Sequence, residues 1–322
     1  MPAAHVYMVR ELQHITRLAP SPTGALHLGN ARTFVLNWIL ARRHGWKILL
    51  RIEDLDGPRV KPEAVGQVQD TLEWLGLDWD GNPTIQSDDL RPHAAAVNQL
   101  AKQGMAYPCE LTRREIAEAA SAPHDETEAP TPATRPERVE STEFDRIDTN
   151  WRFASPDRQV GFQDRFSGAQ LTHPLRDAGD FVIWTKRGTP SYQLAVVVDD
   201  ARQGVTQVVR GDDLVASTGQ QMLIHAALGL GPLPAYTHLP LVIGEDGRRL
   251  AKRHGDSRID YYREQRVPVE RVYGLLASWS MPEQPKTPMD LAEFAERLDL
   301  DTMPPGPARF TPEDDAWLFG RC

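Results

Sequence analysis

The sequence predicts an α/β protein built on a doubly wound parallel sheet, with an inserted α/β subdomain and a helical C-terminal region. Strand and helix patterns alternate in the N-terminal third, which favours parallel strands joined by crossover helices. A stretch poor in large apolar residues interrupts the alternation, and after residue 260 the pattern is helical to the end of the chain. Ligands of such sheets bind beyond the carboxyl ends of the strands, so functional residues are expected there.

The N-terminal third contains two predicted strands and three predicted helices. Short apolar runs predict strands over residues 14–19 and 47–52. The predicted helices cover residues 31–44, 62–75 and 91–103.

The middle of the chain is predicted to form an inserted subdomain over residues 106–185. Within it, residues 119–149 are rich in Ala, Pro, Glu and Thr and predict an irregular loop. Between Glu115 and Asp148 ten acidic residues stand against three arginines, and this segment carries most of the net charge of −9. Because the remaining chain is nearly neutral, any RNA contact is expected to be moderate and led by shape.

The sheet is predicted to resume after the insert. Strand patterns occur at residues 191–199, 204–210 and 238–243, and a helix pattern at 217–228. The predicted regions are 1–105 and 186–258 for the two halves of the sheet domain, 106–185 for the insert and 259–322 for the helical region.

Composition and local patterns exclude several classes of protein. The first fourteen residues lack the apolar core of a signal peptide, and no apolar run reaches the ~20 residues of a membrane span. Two cysteines, Cys109 and Cys322, do not make a disulfide framework. We expect a cytoplasmic, monomeric enzyme without a membrane partner.

The most informative segment is the turn over residues 20–30, which joins the first strand to the first helix. Its Pro and Gly residues predict a turn that exposes backbone N–H groups at a helix N-terminus, a site suited to polyphosphate. There His27 is expected to donate to phosphate oxygens, and Gly29 to let a nucleoside approach the backbone. Neither Gly-x-Gly-x-x-Gly nor Gly-Lys-Ser/Thr is present, which excludes the usual nucleotide motifs.

Two segments resemble signature motifs of one enzyme class. His27-Leu28-Gly29-Asn30 resembles the HIGH signature of class I aminoacyl-tRNA synthetases, with asparagine in place of the second histidine. The run from Arg17 to Gly24 resembles the glutamyl branch of that class. Residues 249–253, Arg-Leu-Ala-Lys-Arg, follow a turn at 244–247 and resemble the KMSKS loop. The resemblance implies a Rossmann-type catalytic domain that activates an amino acid with ATP and Mg²⁺.

Amino-acid activation needs alignment and charge stabilisation, because a carboxylate attacks the α-phosphate of ATP without being activated itself. The resemblance implies that His27 and Lys252 are catalytic, the lysine being delivered by a mobile loop. It places ATP against Pro20, Ser21, Thr23, Gly24, His27, Gly29, Asn30, Arg249, Lys252 and Arg253.

A glutamate substrate carries two carboxylates and an ammonium, so its pocket requires two guanidinium groups and a carboxylate. Arg17, Arg210 and Glu53 stand at predicted strand ends and fit this requirement. The resemblance implies glutamate-binding residues at these positions and adds Ala19, Ser21 and the hydroxyl of Tyr192.

Simpler roles for the same residues are also open. Arg210 would fit an ion pair with Asp212 or Asp213, and Glu53 an ion pair with Arg51. Tyr192 would fit an ordinary core position. The sequence does not decide which of Arg17 and Arg210 holds which substrate carboxylate.

Three features favour one branch of the class, the glutamyl-Q tRNA(Asp) synthetases. Val196 and Leu214 stand where discriminating glutamyl-tRNA synthetases typically carry Asn and Trp, and the chain ends at Cys322 without a helical anticodon-binding module. The resemblance implies tRNA-independent activation of L-glutamate and its transfer to queuosine in the anticodon loop of tRNA(Asp). The expected partners are therefore L-glutamate, ATP and queuosine-bearing tRNA(Asp).

Relatives in this class often bind zinc in the inserted subdomain through Cys-x-Cys and a later Tyr-x3-Cys. Here Cys109 is present, Leu111 stands where the second cysteine would be, and His124 is the nearby imidazole. One thiolate and one imidazole do not complete a four-ligand site. We predict no zinc, with Cys109 as a small buried residue.

Other functions remain open at this point. A truncated glutamyl-tRNA synthetase would charge the 3′ end, and a non-catalytic paralogue would bind glutamate or its adenylate. A third alternative is activation of glutamate for an acceptor other than RNA, such as a carrier protein.

Overall fold

The computed structural model describes residues 13–55, 63–110, 135–136, 138–250 and 256–321. The strands are β1 (Ile15–Leu18), β2 (Lys47–Ile52), β3 (Thr84–Ile85), β4 (Ala106–Cys109), β5 (Asn150–Phe153), β6 (Val160–Asp164), β7 (Gly168–Thr172), β8 (Phe181–Thr185), β9 (Thr189–Pro190), β10 (Gln207–Gly211), β11 (Ala235–Leu239), β12 (Val242–Ile243) and β13 (Ala308–Arg309). The α-helices are α1 (Leu28–Arg43), α2 (Ala64–Trp74), α3 (Arg91–Lys102), α4 (Pro174–Ala178), α5 (Tyr192–Arg202), α6 (Val215–Leu228), α7 (Ile259–Glu264), α8 (Val269–Ser278), α9 (Leu291–Arg297) and α10 (Pro312–Leu318).

A parallel sheet with helices forms the centre of the fold, as predicted. Strand β2 pairs in parallel with β1 and β3, and β11 pairs in parallel with β10 and β6. The two ladders meet where β1 lies beside β10, and the N–H of Thr206 donates to the carbonyl of Ile15 at 2.9 Å. The chain continues outward in opposite directions from these two central strands. Their carboxyl ends therefore frame a crevice of the kind in which doubly wound sheets bind ligands.

Helix α1 packs its apolar face into the main core. Leu28, Ala31, Val35 and Ile39 recur at helical spacing and are fully buried. Arg32, on the same helix, is also buried and donates to the carbonyl oxygens of Pro240 (2.6 Å) and Trp279 (3.1 Å). This arginine ties the first helix to the C-terminal region, so the position of the crevice depends on both.

The prediction of a strand over residues 191–199 is wrong, because residues 192–199 form most of helix α5. The consecutive valines at 196–198 favour a strand by local propensity, and a buried apolar run has no periodicity that separates strand from helix. Every residue from Leu194 to Asp200 is buried, and α5 packs against α3, α6 and β8. Tertiary burial therefore overrides propensity here. Tyr192 consequently stands at a helix N-terminus rather than in a strand.

The segment between residues 106 and 185 contributes to two sheets. Strands β4, β5, β8 and β9 form an antiparallel sheet, while β6 and β7 form a hairpin that extends the parallel sheet beyond β11. The described part of the predicted irregular segment, 135–136 and 138–149, contains neither helix nor strand, and its remainder lies outside the described residues. The domain limits themselves stay predictions.

The C-terminal region is helical, as predicted, with helices α7 to α10. Besides these helices, the described part of the region contains one short strand, β13. It pairs in parallel with β12, beside the crevice, and so attaches the C-terminal region to the sheet domain. Among the described residues, no helix has the length and apolar character needed to cross a membrane.

Candidate active site

His27 caps the N-terminus of helix α1 with its own side chain. Its Nδ1 accepts hydrogen bonds from the backbone N–H groups of Gly29 (3.1 Å) and Asn30 (3.4 Å). In return the Asn30 side-chain oxygen accepts from the backbone N–H of His27 at 3.2 Å, which completes a capping box. Because Nδ1 is an acceptor, a neutral ring carries its proton on Nε2, and that N–H can donate to a ligand.

The first turn of α1 differs from the expectation that its backbone N–H groups are exposed for polyphosphate. The N–H of Leu28 donates to the carbonyl of Ser257, and that of Ala31 donates to the carbonyl of His27, each at 3.0 Å. The two amides between them are taken by the imidazole. The donor that this turn presents is therefore the imidazole rather than a row of amides.

Gly29 leaves room for the capping imidazole. A Cβ at this position would lie 3.0 Å from Cε1 and 3.1 Å from Nδ1 of His27, closer than side chains normally approach. A residue with a Cβ would require the ring to move by a few tenths of an ångström, at the expense of its two capping hydrogen bonds. The close approach of a nucleoside to the backbone at Gly29 stays a prediction. The short distance to the His27 ring is a second reason for a residue without a side chain at this position.

The His27 ring is predicted to stay neutral at neutral pH. Burial, and after it the positive charge of Arg249, lowers the pKa of His27 from 6.5 to about 4. A lowered pKa means that the ring takes up a second proton only in acid. We expect a ¹⁵N NMR titration to give a midpoint near pH 4 for His27, with the Nε2–H tautomer above it, and His27→Gln identifies the signals. A midpoint at 6.5 or higher would contradict this prediction.

Arg17, at the end of β1, is held in a buried ion-pair network. Its Nε donates to Asp200 at 3.2 Å and its Nη1 donates to the carbonyl of Val209 at 3.5 Å. The same Asp200 oxygen accepts from Arg51 at 2.7 Å, and Arg51 also donates to Glu53 at 3.2 Å. The ion pair between Glu53 and Arg51 is therefore present. Glu53 also lines the crevice, so this ion pair does not exclude a role in binding the substrate.

The two carboxylates of this network respond differently to burial. Burial acts to raise the pKa of Asp200, but Arg17 and Arg51 outweigh it and hold that pKa below its ordinary value. Burial also acts on Glu53, and there it is the stronger influence, so the pKa of Glu53 is raised despite the same two arginines. A ligand ammonium beside Glu53 would supply the compensating charge.

Arg210, at the end of β10, has uncharged partners among the described residues, so the alternative ion pair with a neighbouring aspartate is not formed. Its Nη2 donates to the hydroxyl of Thr218 at 2.7 Å and its Nε to the imidazole of His238 at 3.1 Å. Its Nη1 lies 3.5 Å from the hydroxyl of Tyr192. With no carboxylate partner, this buried guanidinium is suited to an anionic ligand.

These side chains surround a crevice of about 140 Å³. The predicted site residues that line it are Arg17, Ala19, His27, Gly29, Asn30, Glu53, Tyr192, Arg210 and Arg249. Pro20, Ser21, Thr23 and Gly24 belong to the preceding turn and are not among the lining residues. The carbonyl of Pro20 accepts from the N–H of Glu53 at 2.9 Å, so the turn is fixed to the end of β2.

Residues 242–250 form a hairpin at one side of the crevice. Its turn is closed by the N–H of Gly247, which donates to the carbonyl of Gly244, as the sequence predicts. Arg249 pairs with Asp213 at 2.5 Å and Leu250 is buried. Lys252 and Arg253 lie outside the described residues, and so their predicted roles stay predictions. The chain on both sides of them borders the site, since Arg249 lines the crevice and Ser257 binds the first amide of α1.

Sequence reasoning missed several residues of the site. Thr33 and Phe34 line the crevice one turn beyond Asn30, on the same face of α1, so helical periodicity is a signal that would have found them. The other missed lining residues are Val209, Gly211, Asp213, Leu214, Leu241 and Val242. The supporting residues missed are Asp200, Thr218 and His238, and no local pattern marks them.

The inserted segment contains the cysteine considered for zinc. Cys109 is buried at the end of β4, where it packs with Tyr107 and Ala154, as predicted for a small apolar residue. Within the described residues no group of three or more His, Cys, Asp or Glu side chains is placed to hold a metal ion. Leu111 and His124 lie outside those residues, and the absence of zinc stays a prediction.

Comparison with known proteins identifies the family. Residues 13–312 match the profile described as tRNA synthetases class I (E and Q), catalytic domain. The chain is 45% identical to a glutamyl-Q tRNA(Asp) synthetase of Rhodopirellula baltica, over 88% of each chain. It is 43% identical to the protein of that name from Symbiobacterium thermophilum, over 94% of this chain and 98% of the relative.

The fold agrees with a solved structure of the same class. The crystal structure of a glutamate-tRNA synthetase from Elizabethkingia anophelis superposes with a TM-score of 0.76 at 24% sequence identity, covering 95% of this chain and 70% of that one. The chain therefore belongs to the family of class I glutamyl- and glutaminyl-tRNA synthetase catalytic domains, and it is an enzyme of the ligase type.

Proposed function

We propose that this enzyme activates L-glutamate with ATP without needing tRNA, and transfers it to the queuosine base in the anticodon loop of tRNA(Asp). The observation that carries the first step is the charge of the crevice. With the carboxylates ionised, the lining residues Arg17, Arg210 and Arg249 against Glu53 and Asp213 leave one net positive charge. The pair of Arg51 and Asp200 behind them adds no net charge. Glutamate carries one net negative charge and glutamine none, so glutamate neutralises the site and glutamine leaves a buried charge uncompensated.

The roles of the residues follow from their positions. Arg17 and Arg210 face the two substrate carboxylates and Glu53 faces the ammonium. The Nε2–H of His27 donates to phosphate oxygens of ATP, whose Mg²⁺ neutralises phosphate charge when it is bound. The substrate α-carboxylate oxygen then forms a bond to the α-phosphorus, and the bond from that phosphorus to pyrophosphate breaks. Lys252 and Arg249 stabilise the charge on the leaving pyrophosphate.

Independence from tRNA is supported by the pre-formed state of the glutamate site. Arg17 is fixed by Asp200 and Arg210 by Thr218, all from this chain alone. No part of this arrangement requires a second molecule to orient a guanidinium. Pre-organised donors of this kind lower the cost of binding, which favours activation before any acceptor arrives.

Two observations favour the queuosine acceptor over the tRNA 3′ end. The relatives named glutamyl-Q tRNA(Asp) synthetase are 45% and 43% identical, whereas a glutamate–tRNA ligase of Synechococcus is 38% identical and is covered over 67% of its length. In addition, Leu214 lines the crevice. The family resemblance implies that discriminating glutamyl-tRNA synthetases typically carry tryptophan at this position. The smaller side chain leaves more room at the crevice for a bulky acceptor base.

The deciding experiment is glutamate-dependent ATP–pyrophosphate exchange with and without tRNA, with aspartate and glutamine as control substrates. Robust exchange with glutamate alone, followed by labelling of queuosine-containing but not unmodified tRNA(Asp), is the expected result. Exchange only in the presence of tRNA would point to 3′-end charging. Absence of exchange in both conditions would point to a paralogue that binds glutamate or its adenylate without catalysis. Exchange without labelling of any tRNA would point to an acceptor other than tRNA.

The raised pKa of Glu53 predicts a pH dependence of glutamate binding. Because burial raises this pKa, the side chain protonates at a higher pH than an ordinary glutamate, and the neutral acid no longer pairs with the substrate ammonium. We expect the KM for glutamate to rise as pH falls through this raised pKa and to level off above it, while the KM for ATP changes little. Exchange kinetics over a range of pH measure both values. Glu53→Gln is the control and is expected to give a high KM for glutamate with no such pH dependence.

A further inference from the structure

Besides Thr218, which accepts from Nη2 of Arg210 at 2.7 Å, two further buried residues outside the crevice hold the Arg210 guanidinium. The Nε of Arg210 donates to Nε2 of His238 at 3.1 Å, and Nδ1 of the same imidazole lies 2.7 Å from a carboxylate oxygen of Asp164. Neither Asp164 nor His238 has any exposed surface, and neither lines the crevice. The mechanism described above uses neither residue.

The hydrogen bonds fix the protonation state of His238. The Thr218 hydroxyl also lies 3.1 Å from Nε2 of His238, but its proton is directed to the carbonyl of Leu214. Because a guanidinium N–H only donates and the Asp164 carboxylate at Nδ1 only accepts, Nε2 is assigned as the unprotonated acceptor of a neutral ring. The ring proton is then on Nδ1, where it donates to Asp164. Burial lowers the pKa of the His238 imidazole and the charge of Arg210 acts in the same direction, so a second proton is disfavoured although Asp164 acts against this. The ring is therefore a neutral acceptor for Arg210.

Asp164 is itself immobilised by the backbone of the β6–β7 turn. Its Oδ1 accepts from the N–H groups of Phe166 (2.9 Å) and Ser167 (2.8 Å), and its Oδ2 accepts from the backbone N–H of His238 (3.0 Å). A carboxylate with this many donors has one orientation. The chain of contacts from the turn through the imidazole to Arg210 leaves the outer edge of the guanidinium facing the crevice.

We propose that His238, oriented by Asp164, is a positioning residue that aims the Arg210 fork at a substrate carboxylate and so sets the affinity for glutamate. This inference rests on the proposed role of Arg210 in binding glutamate. The two ring nitrogens perform separate tasks, since Nδ1 holds the ring and Nε2 holds the arginine. A purely structural His–Asp pair between β6 and β11 would use only the first of these contacts.

Two substitutions separate the tasks. In His238→Asn the amide N–H₂ occupies the place of Nδ1 and keeps the donor to Asp164, but the acceptor for Arg210 is lost. In His238→Gln the longer side chain brings its oxygen to the place of Nε2 and keeps that acceptor, but the bond to Asp164 is lost. The pair is matched in chemistry and differs in which contact survives.

The measurement is ATP–pyrophosphate exchange as a function of glutamate and of ATP, together with the melting temperature of each variant. Hydrogen bonds to charged groups contribute enough that we expect His238→Asn to raise the KM for glutamate about tenfold or more, with the KM for ATP changed less than about twofold. His238→Gln is expected to keep a KM for glutamate near that of the wild type, although it melts at a lower temperature than His238→Asn. If the KM for glutamate follows the order of melting temperatures, or if His238→Asn binds glutamate like the wild type, the inference is wrong.

A second readout does not depend on activity. The inference requires the Nδ1–H tautomer of His238 and a slowly exchanging Nε–H of Arg210 in ¹⁵N NMR spectra of the wild-type enzyme. A dominant Nε2–H tautomer would overturn the positioning role even if exchange with glutamate is robust. Conversely, the expected tautomer in a protein that shows no exchange would contradict the proposed function and leave the geometry around Arg210 supported.

Discussion

Replacing Arg210 by alanine is expected to lower kcat/KM for glutamate by about a hundredfold or more, with little change in the KM for ATP. The guanidinium lines the crevice and has no carboxylate partner among the described residues, so its free N–H groups are available for a substrate carboxylate. Each charged hydrogen bond contributes about 1.5–3 kcal/mol, and each 1.4 kcal/mol corresponds to a factor of about ten. Loss of a two-pronged contact thus accounts for the expected size. Glutamate-dependent exchange measures it.

Two variants serve as controls for this prediction. Arg210→Lys keeps the charge but loses the planar fork and the donor to His238, and so an intermediate loss is expected. Arg187→Ala removes an exposed arginine from the β8–β9 turn and is expected to leave exchange unchanged. A melting curve of Arg210→Ala is needed to check that the variant is folded. A loss that falls equally on glutamate and ATP would show that Arg210 supports the fold of the crevice rather than the substrate.

The sequence predicted the parallel sheet and much of the site because both depend on local signals. Arg17 stands near the carboxyl end of the first strand, and Glu53 directly follows the second. Ligands of parallel sheets bind at the carboxyl ends of the strands, so both positions could be identified without knowing the order of the strands. His27 and Gly29 stand at a helix start that is marked by Pro and Gly residues. The structure places all four residues on one crevice, as their positions along the chain predicted.

The residues that hold the arginines were not predictable in the same way. Asp200 pairs with Arg17 across 183 positions, and Asp164 contacts His238 across 74 positions. The first pair joins helix α5 to β1, and the second joins β6 to β11. Both depend on the order of the strands in the sheet, which no local sequence pattern predicts. The helix at Tyr192–Arg202 was missed for a related reason, since its burial on all sides removes the polar face that marks a helix.

The capping of α1 shows how side-chain geometry changes the chemistry predicted from a motif. The turn over residues 20–30 predicted exposed amides for phosphate, yet the rotamer of His27 occupies two of them and other carbonyls occupy the rest. A neutral imidazole then offers one N–H rather than a positive charge. The positive charge needed at the phosphates must come from elsewhere, which raises the importance of the residues after the 242–250 hairpin.

Replacing Lys252 by alanine is therefore expected to lower kcat for glutamate activation by about a hundredfold to a thousandfold, while the KM for glutamate changes less than about threefold. The neutral His27 ring brings no positive charge to the pyrophosphate, and Arg249, which the proposed mechanism uses there, shares its charge with Asp213. In the same proposal Arg17 and Arg210 bind the amino acid, so the largest uncompensated positive charge at the pyrophosphate is expected from Lys252. A lysine delivered from the segment between Leu250 and Asp256 would act on charge that develops only in the transition state.

Single-turnover formation of glutamyl-adenylate, combined with calorimetric titration of glutamate, separates this role from simple binding. Lys186→Ala, at an exposed position in the β8–β9 turn, is the matched control and is expected to behave like the wild type. Equal losses of glutamate affinity and of activation in Lys252→Ala would mean that the lysine binds the ground state as strongly as the transition state. If Lys252→Ala lowers the rate of adenylate formation but not the affinity for glutamate, Lys252 neutralises phosphate charge in the transition state. The capped N-terminus of α1 does not neutralise that charge.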